Sequence, residues 1–129
     1  MRLLFGLLLA VSAEETYSPN WDTRQEIMSV SFSECVCASG VDVALAEKWL
    51  NRVEFCNDPC FKCFLKCQYL RANFMFPDGT QNVERLVNSY DHVYADSIRA
   101  CANKTITLDL CERAYEVGQC IVQVVLGTH

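Results

Sequence analysis

Several features are missing from this 129-residue sequence, and each absence excludes a class of protein. After residue 13, no apolar run approaches the roughly 20 residues that a membrane-spanning helix needs. Lysine and arginine total 11 against 16 aspartate and glutamate residues, so no basic patch is visible for binding nucleic acid or an anionic membrane. Sustained alternation of apolar and polar residues, internal repeats and interdomain linkers are also lacking, which argues against a sheet protein and against several domains.

Residues that would carry catalysis or bind a metal are equally scarce. Only His92 and His129 could act as a base near neutral pH, and neither lies beside a nucleophile motif, a phosphate-binding loop or a zinc-binding helix motif. Cys60-Phe-Lys-Cys63 has the spacing of a redox pair, but no βαβ pattern surrounds it. Residues 56–67 crowd four cysteines into one segment, whereas structural zinc sites bring together two separated pairs. We therefore expect that the protein is not an enzyme and that it binds no metal and no cofactor.

What is present begins with a leader-like segment. A basic start at Arg2 is followed by an almost wholly apolar run, residues 3–11, and then by small residues up to Ala13 of the kind that signal peptidase accepts. We expect residues 1–13 to be a signal peptide and residues 14–129 to form a single secreted, extracellular helical domain. All nine cysteines lie in that domain, and such a density in an exported chain is typical of a disulfide framework.

Apolar residues along the domain recur mainly three or four positions apart, which is helical spacing. Asp22, Asp42, Asp58 (which precedes a proline) and Asp109 are predicted N-caps, Gly40 is a predicted helix stop, and residues 76–79 are a predicted turn. The sequence thus predicts an all-α fold of about six short helices, none of them long enough to be stable alone. The predicted helices cover residues 23–39, 43–52, 59–72, 82–90, 91–102 and a last stretch from residue 110.

Two cysteine pairs have informative positions on these helices. Cys63 and Cys67 are four residues apart in one predicted helix, so both point from the same face and can tie it to its neighbours. Cys111 and Cys120 are nine residues apart, which is half a turn out of alignment, so they leave the last helix on opposite sides. Spacing alone does not fix the connectivity, since any six cysteines allow 15 pairings.

These spacings resemble those of insect odorant-binding proteins. Cys63-Phe-Leu-Lys-Cys67 is similar to the C-x3-C of that family, and the interval from Cys111 to Cys120 is similar to its C-x8-C. Residues 101–115 begin with a cysteine and end in Asp-Leu-Cys-Glu-Arg-Ala-Tyr, which is similar to the family's C…D-x-C-E-x-A-Y segment.

Upstream residues extend the resemblance. Gly40-Val41 follows Cys35 at the distance at which the family places Gly-Val after its first cysteine, and the turn at residues 76–79 lies where the family often has an acidic residue followed by glycine. The resemblance covers nearly all of residues 14–129. It implies a cage of short helices, stapled by disulfides, around an apolar cavity.

The resemblance also implies how six of the cysteines pair: Cys35–Cys67, Cys63–Cys111 and Cys101–Cys120. Cys37 could take the first place instead, but Cys35 has the better distance to Gly40. Three cysteines are extra to the pattern, namely Cys37, Cys56 and Cys60. We expect Cys37 to bridge to Cys56 or Cys60, which makes four bridges and leaves one thiol, either free or linking a dimer. A bridge between Cys56 and Cys60 is the remaining alternative.

A cage of short helices that cross at steep angles tends to enclose a cavity, and an apolar cavity with a few polar groups is the usual form of a small-ligand site. The family's pocket is lined from several helices and from the C-terminal segment. On that basis Tyr94 and Tyr115 are candidates for a hydroxyl that orients the ligand. The full set of predicted ligand-binding residues is Met28, Phe32, Leu70, Phe74, Phe76, Tyr94, Ile98, Tyr115, Val122 and Val125.

The resulting interpretation is a secreted carrier that binds a small hydrophobic molecule, such as an odorant, a pheromone or a fatty acid. Two other hypotheses stay open. One is a salivary scavenger of host amines or lipids related to the same family, because Pro19-Asn-Trp21-Asp22 resembles the start of such chains. The other is a disulfide-linked protein-interaction module without a small ligand. A chemosensory receptor or a second copy of the chain are the protein partners that these hypotheses allow.

Two further segments carry predictions. Asn103-Lys104-Thr105 is an N-glycosylation sequon in a predicted loop beside Cys101. The apolar segment after Cys120 is either the last turns of the final helix or a lid over the pocket. In the second case His129 would make the lid sensitive to pH, because the histidine side chain ordinarily titrates at about pH 6.5.

Overall fold

Helices make up nearly all the regular structure of residues 21–127, the part of the chain that the computed structural model describes. The predicted signal peptide (residues 1–13) and His129 lie outside these described residues. A 3₁₀ turn over His92–Tyr94 and an antiparallel bridge between Met75 and Gln81 complete the regular structure there. The helices are α1 (Trp21–Ser29), α2 (Phe32–Ser39), α3 (Val43–Arg52), α4 (Pro59–Arg71), α5 (Val83–Asn88), α6 (Ala95–Lys104) and α7 (Leu110–Leu126).

The predicted all-α fold is confirmed, but the described residues hold seven α-helices because the first predicted helix is broken in two. The break falls at Val30 and Ser31, between α1 and α2. Gln68 of α4 is buried, and its side-chain amide donates to the Met28 carbonyl over 2.8 Å, which satisfies one of the last carbonyls of α1. Gly40, in the left-handed conformation with φ of 74°, ends α2 as predicted.

Three of the four predicted aspartate caps are confirmed, and they fix where three helices begin. The fourth prediction is wrong, because α1 begins at Trp21 and Asp22 lies inside it. The carboxylate of Asp42 accepts from the Ala44 amide at the start of α3, and that of Asp58 accepts from the Phe61 amide at the start of α4. Asp109 caps α7 in the same way. These bonds satisfy amides that have no partner inside the helix.

The core of the described residues lies around α4, which packs chiefly against α7 and α2. Aromatic rings fill its centre: Trp49 packs edge-on against Phe64 with 5.4 Å between ring centroids, and Phe32 packs edge-on against the same ring at 5.7 Å. Such edge-to-face pairs add to the gain from burying their area. The side chains of Ile98 and Leu65 are also fully buried.

Three disulfides tie the helices into a cage, and they are the three pairs that the family resemblance implies. Each joins two helices, so that α4 is bonded to both α2 and α7, while α7 is bonded to both α4 and α6. Cys111 and Cys120 thus leave α7 toward different partners, as their spacing predicts. The bridges are Cys35–Cys67, Cys63–Cys111 and Cys101–Cys120.

The predicted fourth bridge is wrong for this structure, in which Cys37, Cys56 and Cys60 are all free thiols. Cys35 faces the core and bonds to α4. Cys37 lies two residues further along the same helix, about 200° around its axis, so its side chain is directed into solvent and is exposed. Cys60 is exposed as well, whereas Cys56 is half-buried against the core.

Candidate ligand-binding site

Two adjoining cavities lie between α1, α7 and the segment from α5 to the 3₁₀ turn. The inner void has a volume of about 30 Å³, and the outer chamber, which is more open to solvent, has about 310 Å³. Arg24, Tyr90 and Val122 line both of them. These shared side chains form the wall between the two spaces.

The two volumes set different limits on what can enter. A space of 30 Å³ has room for about one water molecule. The outer chamber, at 310 Å³, reaches the low end of the roughly 300–1,000 Å³ that is usual for small-ligand sites. A small molecule therefore fits in the outer chamber, and a longer one needs the shared wall to move so that the inner void opens.

Mainly apolar side chains form the surface of both spaces. The inner void extends from the shared wall to the aromatic core, and the outer chamber extends to the last turns of α7. The inner void is further lined by Met28, Trp49, Tyr69, Phe74, Gln81, Leu86, Val117, Gly118 and Ile121. The outer chamber is further lined by Val53, Asp91, Tyr94, Val125 and Leu126.

Arg24 brings a positive charge to this apolar wall. Its guanidinium donates to the backbone carbonyls of Leu50 (3.0 Å) and Trp49 (3.1 Å) at the end of α3. The same group lies 4.4 Å from the centroid of the Trp49 ring, which places it in a favourable position for a cation–π contact. Burial lowers the pKa of Arg24, and the proximity of Tyr69 and Tyr90 acts in the opposite direction.

Two tyrosines supply neutral hydroxyl groups beside this charge. Burial raises the pKa of Tyr69 and of Tyr90 above the usual range of a phenol, although Arg24 opposes the shift in both. Both rings stay protonated at physiological pH, so each can donate or accept a hydrogen bond. The site thus offers an apolar interior with a few polar groups, of which Arg24 and Tyr90 lie at the shared wall.

Five of the ten predicted ligand-binding residues lie at these cavities. Met28 and Phe74 line the inner void, Tyr94 and Val125 line the outer chamber, and Val122 lines both. They come from α1, from the turn after α4, from the 3₁₀ turn and from α7. Their part in ligand binding stays a prediction.

The structure does not bring the other five to these cavities. Leu70 and Phe76 line a separate open groove of about 520 Å³ beside α2 and α4, where Phe76 is half exposed. Ile98 is fully buried in the core. Phe32 packs edge-on against Phe64, and Tyr115 packs against Phe55 and Phe61.

Sequence reasoning predicted Val122 but missed Arg24 and Tyr90, the other two residues of the shared wall. Arg24 precedes Met28 by four residues in α1, so helical spacing alone could have placed it on the same face. Tyr90 follows α5 with no pattern to mark it. Gly118 in α7 also escaped notice, although a glycine in the middle of a predicted helix commonly indicates close packing.

The remaining predicted features lie elsewhere. Asn103 is exposed in the last turn of α6, and not in the loop that the sequence predicted, because α6 continues to Lys104. The segment after Cys120 forms the last turns of α7, as one of its two interpretations predicted. Within residues 21–127, no group of three or more histidine, cysteine or acidic side chains is arranged to hold a metal ion. None of the helices described there is both long and apolar enough to cross a membrane.

Helices stapled by three bridges around apolar cavities define a class of small, all-helical binding proteins. The comparison with known families agrees with this architecture. The model of the PBP/GOBP family, which is the insect odorant-binding protein family, matches residues 20–124. The chain belongs to this family. Its members are binding carriers and not enzymes, and this chain differs from the six-cysteine pattern by its extra cysteines. Searches of the curated proteins and of the solved structures returned no significant match.

Proposed function

We propose that the protein is a secreted carrier that binds a small, mostly apolar molecule. The ligand lies in the outer chamber and reaches toward the inner void. The observation that carries this proposal is the pair of adjoining cavities that share Arg24, Tyr90 and Val122. An odorant, a pheromone or a fatty-acid-like molecule has the required chemistry. The predicted signal peptide, residues 1–13, and the three disulfides support export.

Binding in such a site is driven by the removal of apolar surface from water. Each Å² of ligand surface transferred into the chamber contributes about 25 cal/mol, so a molecule that buries about 200 Å² of apolar surface gains about 5 kcal/mol before the costs of association. The protein thereby raises the amount of a poorly soluble molecule that an aqueous fluid can carry. No covalent step is required of the protein.

Polar groups that line the two cavities orient the ligand. Tyr90 lines both cavities and Tyr94 lines the outer chamber, so either hydroxyl can bond to a single polar atom on an otherwise apolar molecule. Leaving such a group without a partner costs more than its bond contributes. We therefore expect a preference for ligands with one oxygen function over plain hydrocarbons.

Filling the chamber tests the proposal. N-phenyl-1-naphthylamine, an apolar dye that fluoresces when it leaves water, serves as the probe. Val122→Trp places an indole in the wall that both cavities share, and Val125→Trp fills the outer chamber alone. Val30→Trp is the matched control, because Val30 lies in the break between α1 and α2 with 84% of its surface exposed.

We expect the wild-type protein and Val30→Trp to bind the dye with the same Kd. Each chamber variant should bind at least tenfold more weakly, which corresponds to about 1.4 kcal/mol. Circular dichroism and thermal unfolding establish that each variant is folded before its Kd is compared. If both folded chamber variants bind the dye as the wild type does, the chamber is not the binding site.

A further inference from the structure

The N-glycosylation sequon is only half accessible in the folded protein. The side chain of Asn103 is exposed in the last turn of α6. Thr105, the hydroxyl residue of the sequon, is only 7% exposed, and its Oγ1 donates to the carbonyl of Cys101 over 2.8 Å. The acceptor amide is therefore presented to solvent while the hydroxyl that completes the motif is buried.

The chain on both sides of Thr105 is anchored to α7. Cys101 is buried and bonded to Cys120 of α7. On the other side, the Thr107 carbonyl accepts from Nε of Arg113 over 2.7 Å, and the Thr107 hydroxyl donates to Glu116 over 2.6 Å. Turning Thr105 outward requires the end of α6 to unwind against these connections.

Glycosyl transfer to an asparagine requires an enzyme to hold the amide and the hydroxyl two residues later in one groove. A bond forms between Nδ2 of Asn103 and C1 of the sugar. The bond from C1 to the pyrophosphate of a lipid-linked oligosaccharide breaks, so the lipid pyrophosphate leaves and the amide loses a proton. The folded chain satisfies only the first half of that recognition, since the hydroxyl of Thr105 is buried.

We propose that Asn103 is glycosylated only before the Cys101–Cys120 bridge closes, so that glycan occupancy is set by a competition between sugar transfer and folding of α6 onto α7. Closure transfers two electrons and two protons from the thiols to an oxidised dithiol carrier of the secretory compartment. Once it has occurred, burial of Thr105 keeps the sequon from the enzyme. The cellular part of this proposal rests on export, which belongs to the proposed function.

A purified acceptor assay tests the closed state independently of export. An unglycosylated polypeptide of residues 14–129 is refolded with its three bridges. It is then incubated with solubilised oligosaccharyltransferase and a lipid-linked oligosaccharide. The same chain with its thiols reduced and alkylated is incubated in parallel, and Asn103→Gln serves as the blank in both states. We expect the alkylated chain to show the gel shift of one glycan and the bridged chain to show no shift. Equal modification of both states, or modification of neither, would overturn the proposal.

A pulse-labelling experiment in insect cells tests the competition itself. Cys120→Ser prevents closure, and Cys37→Ser removes an exposed thiol that forms no bridge. The full chain is labelled briefly and collected from cells and medium together, so that misfolded protein is counted as well. We expect a larger glycosylated fraction for Cys120→Ser than for wild type, and no change for Cys37→Ser. Equal fractions in all three chains, whether complete or zero, would contradict the competition.

Discussion

Gly118 lies on the face of α7 that lines the inner void. A Cβ placed there would collide with the hydroxyl of Tyr69 and would lie 3.3 Å from a ring carbon of Phe55. Both neighbours are rigid aromatic side chains, and Tyr69 is buried. The space between α7 and α4 is therefore set by the absence of a side chain at this position.

The substitution Gly118→Ala has two opposing effects on the free energy of unfolding. Alanine in a helix interior is favoured over glycine by roughly 0.5–1 kcal/mol, whereas overpacking a filled core costs typically about 1–3 kcal/mol. We expect the second effect to win, with a net loss of about 1 kcal/mol in the free energy of unfolding measured by urea denaturation. Gln123→Ala, at an exposed position of the same helix, is the control and should change stability by less than about 0.5 kcal/mol. A more stable Gly118→Ala protein would show that Tyr69 moves aside freely.

At the residue scale the sequence predicts contacts within a helix better than contacts between helices. The caps at Asp42, Asp58 and Asp109 were predictable, because each carboxylate and the amide that it accepts from lie within three residues of each other. The environment of Tyr115 was not predictable in this way: its ring lies beneath the ammonium of Lys62 at 4.6 Å. That ammonium is held by Glu112. Such a contact depends on how α4 and α7 cross.

At the element scale, a side chain from a third helix bonds to the end of α1 just before the break between α1 and α2, and we infer that it holds the break. Gln68 is buried in α4, and its amide donates to the Met28 carbonyl. Helical spacing of apolar residues runs straight through residues 28–36 and predicts one continuous helix. The apolar spacing carries no signal of the Gln68 contact, because the donor is forty residues away along the chain.

The substitution Gln68→Met tests this role. Methionine keeps most of the volume and removes the donor, so the buried carbonyl of Met28 loses its partner, at a cost of about 1–3 kcal/mol. We expect the free energy of unfolding to fall within that range and amide exchange in α1 to become faster. Gln123→Met, exposed on α7, is the matched control and should leave both unchanged. Unaltered exchange in α1 with Gln68→Met would show that the break is held by other contacts.

At the scale of the whole molecule, helical periodicity, cap residues and cysteine spacing predict the all-α cage, since each of these signals is local or belongs to a family pattern. The candidate site is predicted only in part. Met28, Phe74 and Val122 lie at the inner void, but Ile98 fills the core and Phe76 faces a different groove. The same apolar residue types line a cavity and fill a core, so the sequence does not distinguish the two. Only the packing of the helices separates them.

The three disulfides hold a large share of the stability of this small domain. They close loops with sequence separations of 32, 48 and 19 residues. Loop-closure entropy assigns about 3 kcal/mol to a loop of the shortest size and about 4 kcal/mol to the longest. The total stability of a domain is typically about 5–15 kcal/mol. We therefore expect the fully reduced chain to be largely unfolded at 25 °C.

Circular dichroism with and without a phosphine reductant, combined with urea titration, measures this dependence. The double substitution Cys101→Ser with Cys120→Ser removes the bridge that closes the shortest loop and should lower the free energy of unfolding by about 3 kcal/mol while a cooperative transition remains. Replacing Cys37 by serine is the control, because that thiol is exposed and forms no bridge, and its transition should coincide with that of the wild type. A reduced chain with the same cooperative transition as the oxidised one would mean that the aromatic core around α4 is sufficient to hold the cage without its bridges.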